Sequence, residues 1–200
     1  MPNILYKKNE LKPQDDLTLF QEIAKGNSVA FEKFYLKYYK YLCRFGSSYE
    51  NDIYLVEEKV SDVFYYIWQN KEALGEIKNP KVYVFTMTKN MIFQQKKIFS
   101  KTKINCEYSL VEHKVLVSPI EDDIIESEHE ADLQLVLLKI IDKIPPKSKR
   151  IFEMSRIDGL KYQQIAQILN VSVNTIENHM SIALKTIALA LGRKQSNTLK

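Results

Sequence analysis

Apolar residues recur along the first hundred positions with the 3.6-residue spacing of buried helix faces. Asp15 and Asp16 can cap a segment that puts Leu17, Phe20, Ile23 and Ala24 on one side, and Gly26 ends it. A second segment, capped by Asn27 or Ser28, carries Phe31, Phe34, Tyr35, Tyr38, Leu42 and Phe45 as one stripe. Gly46-Ser47-Ser48 is expected to break it. The third segment is the clearest: Val56, Val60, Val63, Phe64, Ile67 and Trp68 stand at offsets 0, 4, 7, 8, 11 and 12. Its opposite face is polar and acidic, with Glu57, Glu58, Ser61 and Asp62.

A short loop at 74–78 leads into Asn79-Pro80, a cap residue followed by a residue preset for the first helical position. The helix that follows runs through Val84, Met87, Met91 and Ile92 and turns basic with Lys89, Lys96, Lys97 and Lys101. Periodicity then weakens to about residue 130, where Ser118-Pro119 and the run EDDIIESEHEAD suggest a linker. An apolar helix with Leu133, Val136, Leu137, Ile140 and Ile141 follows, and Pro145-Pro146 stops it. Three short helices are expected at about 147–156, 162–169 and 173–191. The pattern predicts an all-α chain of two helical domains, 1–100 and 131–200, joined by a flexible acidic linker at 101–130.

Composition agrees with this reading. Of 200 residues, 45% are hydrophobic, enough to bury a core, and only five Gly and six Pro argue against a turn-rich β architecture. There is no glycine-rich phosphate loop. Charge is unevenly spread: residues 1–100 hold 15 basic and 12 acidic side chains, 101–132 hold 3 and 9, and 133–200 hold 11 and 4. Basic blocks flanking an acidic segment suit nucleic acid or an acidic partner, or they are simply solvated helix surfaces. No apolar run reaches signal-peptide or membrane-span length, so a cytoplasmic protein is expected. Cys43 and Cys106 read as reduced, buried thiols. His113, His129 and His179 lie far apart, and no carboxylate pair, nucleophile set or metal-ligand spacing stands out. No enzyme, metal, cofactor or small-molecule substrate is expected.

Residues 159–187, GLKYQQIAQILNVSVNTIENHMSIALKTI, follow helix-turn-helix logic. The first helix turns Ile165, Ala166 and Leu169 inward. Asn170 falls where the turn needs a left-handed residue, and Ser172 can cap the second helix. That helix is expected to bury Ile176, Met180, Ala183, Leu184 and Ile187, and to expose Asn174, Glu177, Asn178, Ser181 and Lys185. Asn and Ser read base edges, Glu accepts from a cytosine amino group, and such a helix lies in the major groove. No Lys or Arg stands between Ser172 and Lys185, so phosphate contacts from this helix are few.

Taken together, the chain resembles a bacterial RNA polymerase sigma factor of the extracytoplasmic-function group of the sigma-70 family. The resemblance rests on DLTLFQEIAKGNSVAF at 16–31, VEEKVSDVFYYIW at 56–68, VYVFTMTKNMIFQQKK at 82–97, IPPKSKRIF at 144–152 and NTIENHMSIALK at 174–185. It covers about residues 16–97 and 131–191. Tyr83 stands where many members have Trp, Gln94 where Asp is usual, Ser61 for a common Gln, Gln164 for Glu and Ile182 for a frequent Arg.

The resemblance implies a transcription initiation factor. Glu57, Glu58, Ser61 and Asp62 would dock on the polymerase core. Lys78, Asn79, Lys89, Asn90, Lys96 and Lys97 would hold the minus-ten strand during opening, beside a base pocket under the loop before that helix. Asn174, Thr175, Glu177, Asn178, Ser181 and Lys185 would meet the minus-thirty-five element. The implied partners are RNA polymerase core, promoter DNA and an anti-sigma factor, membrane-anchored in many members. The rival reading, a regulator of the two-component response-regulator type, requires an α/β receiver, and the N-terminal half lacks βα alternation.

Overall fold

The computed structural model describes residues 15–101 and 139–197, with side chains placed over 15–94 and 139–191. The acidic linker, the start of the apolar helix at Leu133, Cys106, His113, His129 and the side chains of Lys96 and Lys97 lie outside these residues. Among the described residues the named elements are helices throughout: α1 (Asp16–Ala24), α2 (Ser28–Ser47), α3 (Ile53–Gln69), α4 (Pro80–Lys101), α5 (Pro146–Arg156), α6 (Tyr162–Leu169) and α7 (Val173–Asn197). A single 3-10 turn, Lys71–Glu76, bridges α3 and α4 where a plain loop was expected, and it buries Leu74. The all-α expectation holds, and α1–α4 contain no strand on which a receiver domain could be built.

Helix starts follow the chemistry of unpaired N–H groups. Asn27 accepts from Val29 N and Ala30 N at 3.0 and 3.2 Å, and Asp52 accepts from Tyr54 N and Leu55 N at 3.0 and 3.2 Å. Asp15 precedes α1 in an extended conformation and makes no side-chain cap bond. Asp16 instead accepts from Lys37 Nζ at 2.6 Å and from the buried Tyr38 hydroxyl, which pins α1 to α2. This pinning fixes the rotation of α1. Leu19, Phe20 and Ile23 share the inward face with Asp16, and Leu17, expected inside, turns out to 37% exposure.

α2 buries Phe34, Tyr38, Leu42 and Phe45, and α3 buries Val56, Val60, Val63, Phe64 and Ile67, as their stripes predict. Edge-to-face rings join α2 to each of its neighbours, with Phe20 on α1 4.8 Å from Phe34, Tyr35 4.7 Å from Phe64 on α3 and Phe45 5.1 Å from Phe85 on α4. The break expected at Gly46-Ser47-Ser48 falls there, with α2 ending at Ser47 and Ser48 as its C-cap. Gly46 is a packing residue: a Cβ there would lie 2.7 Å from Val56 Cγ1 and 3.1 Å from Ile92 Cδ1. Its hydrogen lets α2 approach α3 and α4.

In the C-terminal helices Asn170 takes the left-handed conformation, φ 57, at the turn between α6 and α7. Ser172 Oγ accepts from Thr175 N at 3.1 Å, capping α7. Ile165, Ala166 and Ile168 are buried on α6, with Leu169 half-buried. On α7, Ile176, Met180 and Ala183 are buried at offsets 0, 4 and 7. Leu184, expected inside, is 45% exposed because it lies a further 100° round the helix. Ser148 and His179 hydrogen-bond at 3.0 Å between α5 and α7. One continuous set of buried side chains runs from Leu19 on α1 to Met180 on α7, and α4 packs on α6.

Candidate nucleic-acid interface

The outer face of α7 is polar where the sequence predicts. Asn174, Glu177, Asn178, Ser181 and Lys185 are exposed, while Thr175 is half-buried with its hydroxyl 2.8 Å from Ser172 Oγ. Thr175 is therefore part of the cap, and its neighbours offer amide, carboxylate and hydroxyl groups to a major groove. Val173 and Ile182 add exposed apolar surface to the same helix. Such surface suits a thymine methyl better than a phosphate.

On α4 the structure assembles a cleft of about 360 Å³, lined by none of the loop residues 74–79 under which a base pocket was expected. Tyr83, Thr86, Met87, Asn90, Met91 and Gln94 line it from α4, and Tyr66 closes it from α3. Met87 and Met91, read from the sequence as core, are half-buried against the core and also line the cleft, and Phe85 is fully buried. The signal was present as the i, i+3, i+4, i+7 recurrence of Tyr83, Thr86, Met87 and Asn90 on one face, but Tyr66 comes from another element. Two phenols, two thioethers and three polar side chains make a wall on which a flat heteroaromatic ring stacks and finds hydrogen bonds. Burial pushes the Tyr83 phenol above its ordinary range, so it enters such contacts as a hydroxyl.

The remaining expected strand contacts divide. Lys78 and Asn90 are exposed. Asn79 Oδ1 accepts from Gln164 Nε2 at 3.4 Å, and Lys89 donates to the Ile168 carbonyl, so both are engaged with α6. Lys96 and Lys97 lie on the last turns of α4, with side chains outside the described set.

The acidic face of α3 is present and partly neutralised from within. Glu57, Glu58 and Ser61 are exposed, and Ser61 Oγ donates back to the Glu57 carbonyl at 2.8 Å. Lys59, only 15% exposed, bridges Glu58 at 2.7 Å and Asp62 at 3.0 Å. Those bonds hold the Lys59 ammonium above its ordinary pKa. Glu57 has no such counter-ion among the described residues.

Sequence reasoning missed the polar seam between α1–α4 and α5–α7. Arg44 on α2 pairs with Asp158, whose side chain is 2% exposed. Lys81 on α4 donates to the Asp158 carbonyl. Arg150 on α5 donates to Ser48 Oγ at 2.8 Å and to the Ser48 carbonyl, with its guanidinium 3.7 Å over the Tyr49 ring. Burial lowers the pKa of Arg44, Lys81 and Lys89 alike. No periodic pattern marks such a seam.

Three comparisons bear on these surfaces. The family model described as Sigma-70, region 4 matches residues 134–187, which contain α5, α6 and the exposed face of α7. The ferric citrate uptake sigma factor FecI of Escherichia coli (strain K12) is 21% identical over 162 residues, 79% of this chain and 88% of FecI. The solved structure of CnrH in complex with the cytosolic domain of CnrY superposes with a TM-score of 0.51 at 18% identity. It covers 89% of this chain and 97% of that one, which shows a shared fold. No helix among the described residues is long and apolar enough to cross a membrane.

Proposed function

We propose that this chain, a member of the sigma-70 family of the extracytoplasmic-function group, binds the core RNA polymerase, selects promoters and starts transcription of a particular set of genes. The observation that carries this reading is the region 4 match falling on a helix-turn-helix whose capped second helix exposes Asn174, Glu177, Asn178 and Ser181. That helix reads the upstream promoter element in the major groove. The basic α4, with Lys89, Asn90, Lys96 and Lys97, and the two residues before it, Lys78 and Asn79, hold the opened minus-ten strand, and the cleft between Tyr66 and Tyr83 takes an unstacked base. The division of labour follows the expected domains at 1–100 and 131–200 about an acidic linker.

The acidic face of α3 docks on a basic helical surface of the polymerase core, where opposite charge speeds encounter and fixes register. FecI is named a sigma factor, and CnrH is recorded with the cytosolic domain of CnrY. By the same logic an anti-sigma factor with a cytosolic domain holds this chain until its signal arrives, and the chain works in the cytoplasm. The protein contributes binding and strand capture, while the nucleotidyl chemistry belongs to the core enzyme.

Runoff transcription with purified core polymerase on fragmented genomic DNA tests the reading. Discrete transcripts that require both core and this chain are the expected result. A chain that leaves core activity unchanged on every fragment, and does not co-purify with core, overturns it.

A further inference from the structure

The seam between the two halves has an unusual composition. Most of its polar bonds bring a cation of one half to an oxygen of the other. Arg44 meets the Asp158 carboxylate, Lys81 the Asp158 carbonyl and, at 3.4 Å, the Gly159 carbonyl, and Lys89 the Ile168 carbonyl. Arg150 reaches across in the other direction to Ser48. Asp158 is central, because its side chain and its main chain each hold a cation from a different N-terminal helix. The surrounding loop holds Asp158 in place, since Gly159 takes φ +61, and Asp158 N and Leu160 N bond back to the Glu153 and Met154 carbonyls.

These cations stand on one flank of α4 and on α2 beside it. The adjoining flank of α4 carries the open cleft with Tyr83 and Asn90. Capture of a single strand needs an aromatic platform and cations that track the backbone. The platform is free in this arrangement, while Lys81 and Lys89 are bonded to carbonyls of the other half and Asn79 is bonded to Gln164.

We propose that Asp158 pins a closed state in which the C-terminal half sequesters Arg44, Lys81 and Lys89 from nucleic acid. This inference rests on the reading of α4 as the strand-holding helix. Release of the pin lets the halves separate and frees those cations together, so the closed chain binds stray nucleic acid weakly and the opened chain binds it well. The pair draws on both halves, with the Asp158 side chain 2% and the Arg44 side chain 22% exposed. Loss of either partner leaves the other charge dry and uncompensated, which favours opening into water.

The test uses the full chain with Asp158→Asn and, separately, Arg44→Gln, which break the pair from opposite sides. Circular dichroism checks that each variant keeps its helix content, and only variants that do are compared. Small-angle X-ray scattering reads the separation of the halves, and fluorescence anisotropy with a labelled single-stranded DNA of mixed sequence reads binding. The expected result is a larger radius of gyration for both variants. If one wild-type molecule in ten is open, Asp158→Asn binds the strand about tenfold tighter, and Arg44→Gln gains less because it has lost one of the freed cations. A wild-type radius already equal to that of the variants overturns the closed state. Expansion with unchanged strand affinity overturns the sequestration. Expansion in which neither wild type nor variant binds DNA at any salt overturns the strand-holding reading of α4, and with it the sequestration, while the pin itself stands.

Discussion

Gly46 sets the closest approach among α2, α3 and α4, and its effect is steric alone. Its φ is not in the left-handed region, so substitution meets a crowded neighbour and no backbone strain. Gly46→Ala puts a methyl 2.7 Å from Val56 Cγ1, and overpacking of this kind costs about 1–3 kcal/mol. Urea unfolding should show a lower midpoint with an unchanged slope. An equal or higher midpoint would mean that Ala's better helix propensity outweighs the clash. Glu153 is the other telling residue. Burial raises its carboxyl above the ordinary value of 4.5 against the lowering effect of Lys149, Arg44 and Arg150, with Asp142 adding to the rise. A raised native pKa means that the folded state holds its proton longer than the unfolded state. The stability it supplies is complete below about 4.5 and is lost as pH climbs through the native value. Glu153→Gln should therefore raise the melting temperature at neutral pH, and the gain should shrink as pH falls towards 4.5. A gain that is constant across this range would remove ionisation as its cause.

At the scale of elements, α3 shows how a charged face is tempered. Lys59 ties Glu58 and Asp62 together, so reversing both carboxylates breaks two ion pairs and places like charges beside Lys59. Glu57 is the cleaner probe. Glu57→Lys should weaken capture of core polymerase while leaving thermal unfolding close to wild type. Glu58→Lys with Asp62→Lys should weaken capture and also lower the melting temperature. Unchanged capture by both variants would show that this face is solvated surface and no more. The helices themselves were largely legible from the sequence. The stripes on α2 and α3, the αL turn at Asn170 and the cap at Ser172 are local features, written within four residues of themselves. Errors arose where a neighbouring element decided the outcome. Leu17 turns outward because Asp16 is anchored on α2. Leu184 stays exposed because it lies 100° round α7 from Ala183, off the buried 176-180-183 ridge.

At the scale of the whole molecule, the cleft and the seam were the least legible parts, since each joins residues far apart in the chain. Arg44 and Asp158 stand 114 positions apart, and Lys89 and Ile168 stand 79 apart, with no periodicity to announce either pair. What the sequence did indicate is a molecule with two nucleic-acid surfaces of different chemistry, and that difference can be tested. The exposed first turns of α7 offer Glu177 and Asn178, hydrogen-bonding groups that discriminate among bases, and no cation before Lys185. The end of α4 offers Lys96 and Lys97, point charges that cannot tell one base from another. Lost base contacts cost about 1–3 kcal/mol each and only at the positions they touch. A lost phosphate contact weakens all sequences alike and lowers the salt slope, by about 0.7 per contact on a single strand. Glu177→Ala with Asn178→Ala should therefore change which upstream element is preferred in runoff transcription on a randomised library. Permanganate footprints of the opened region should persist on the newly preferred promoters. Lys96→Ala with Lys97→Ala should reduce transcription and footprint across the library, leave the order of preference intact and flatten the dependence on salt. If the two pairs of substitutions gave the same pattern, reading and melting would not be divided between the two halves, and the roles assigned to α7 and α4 would both fall.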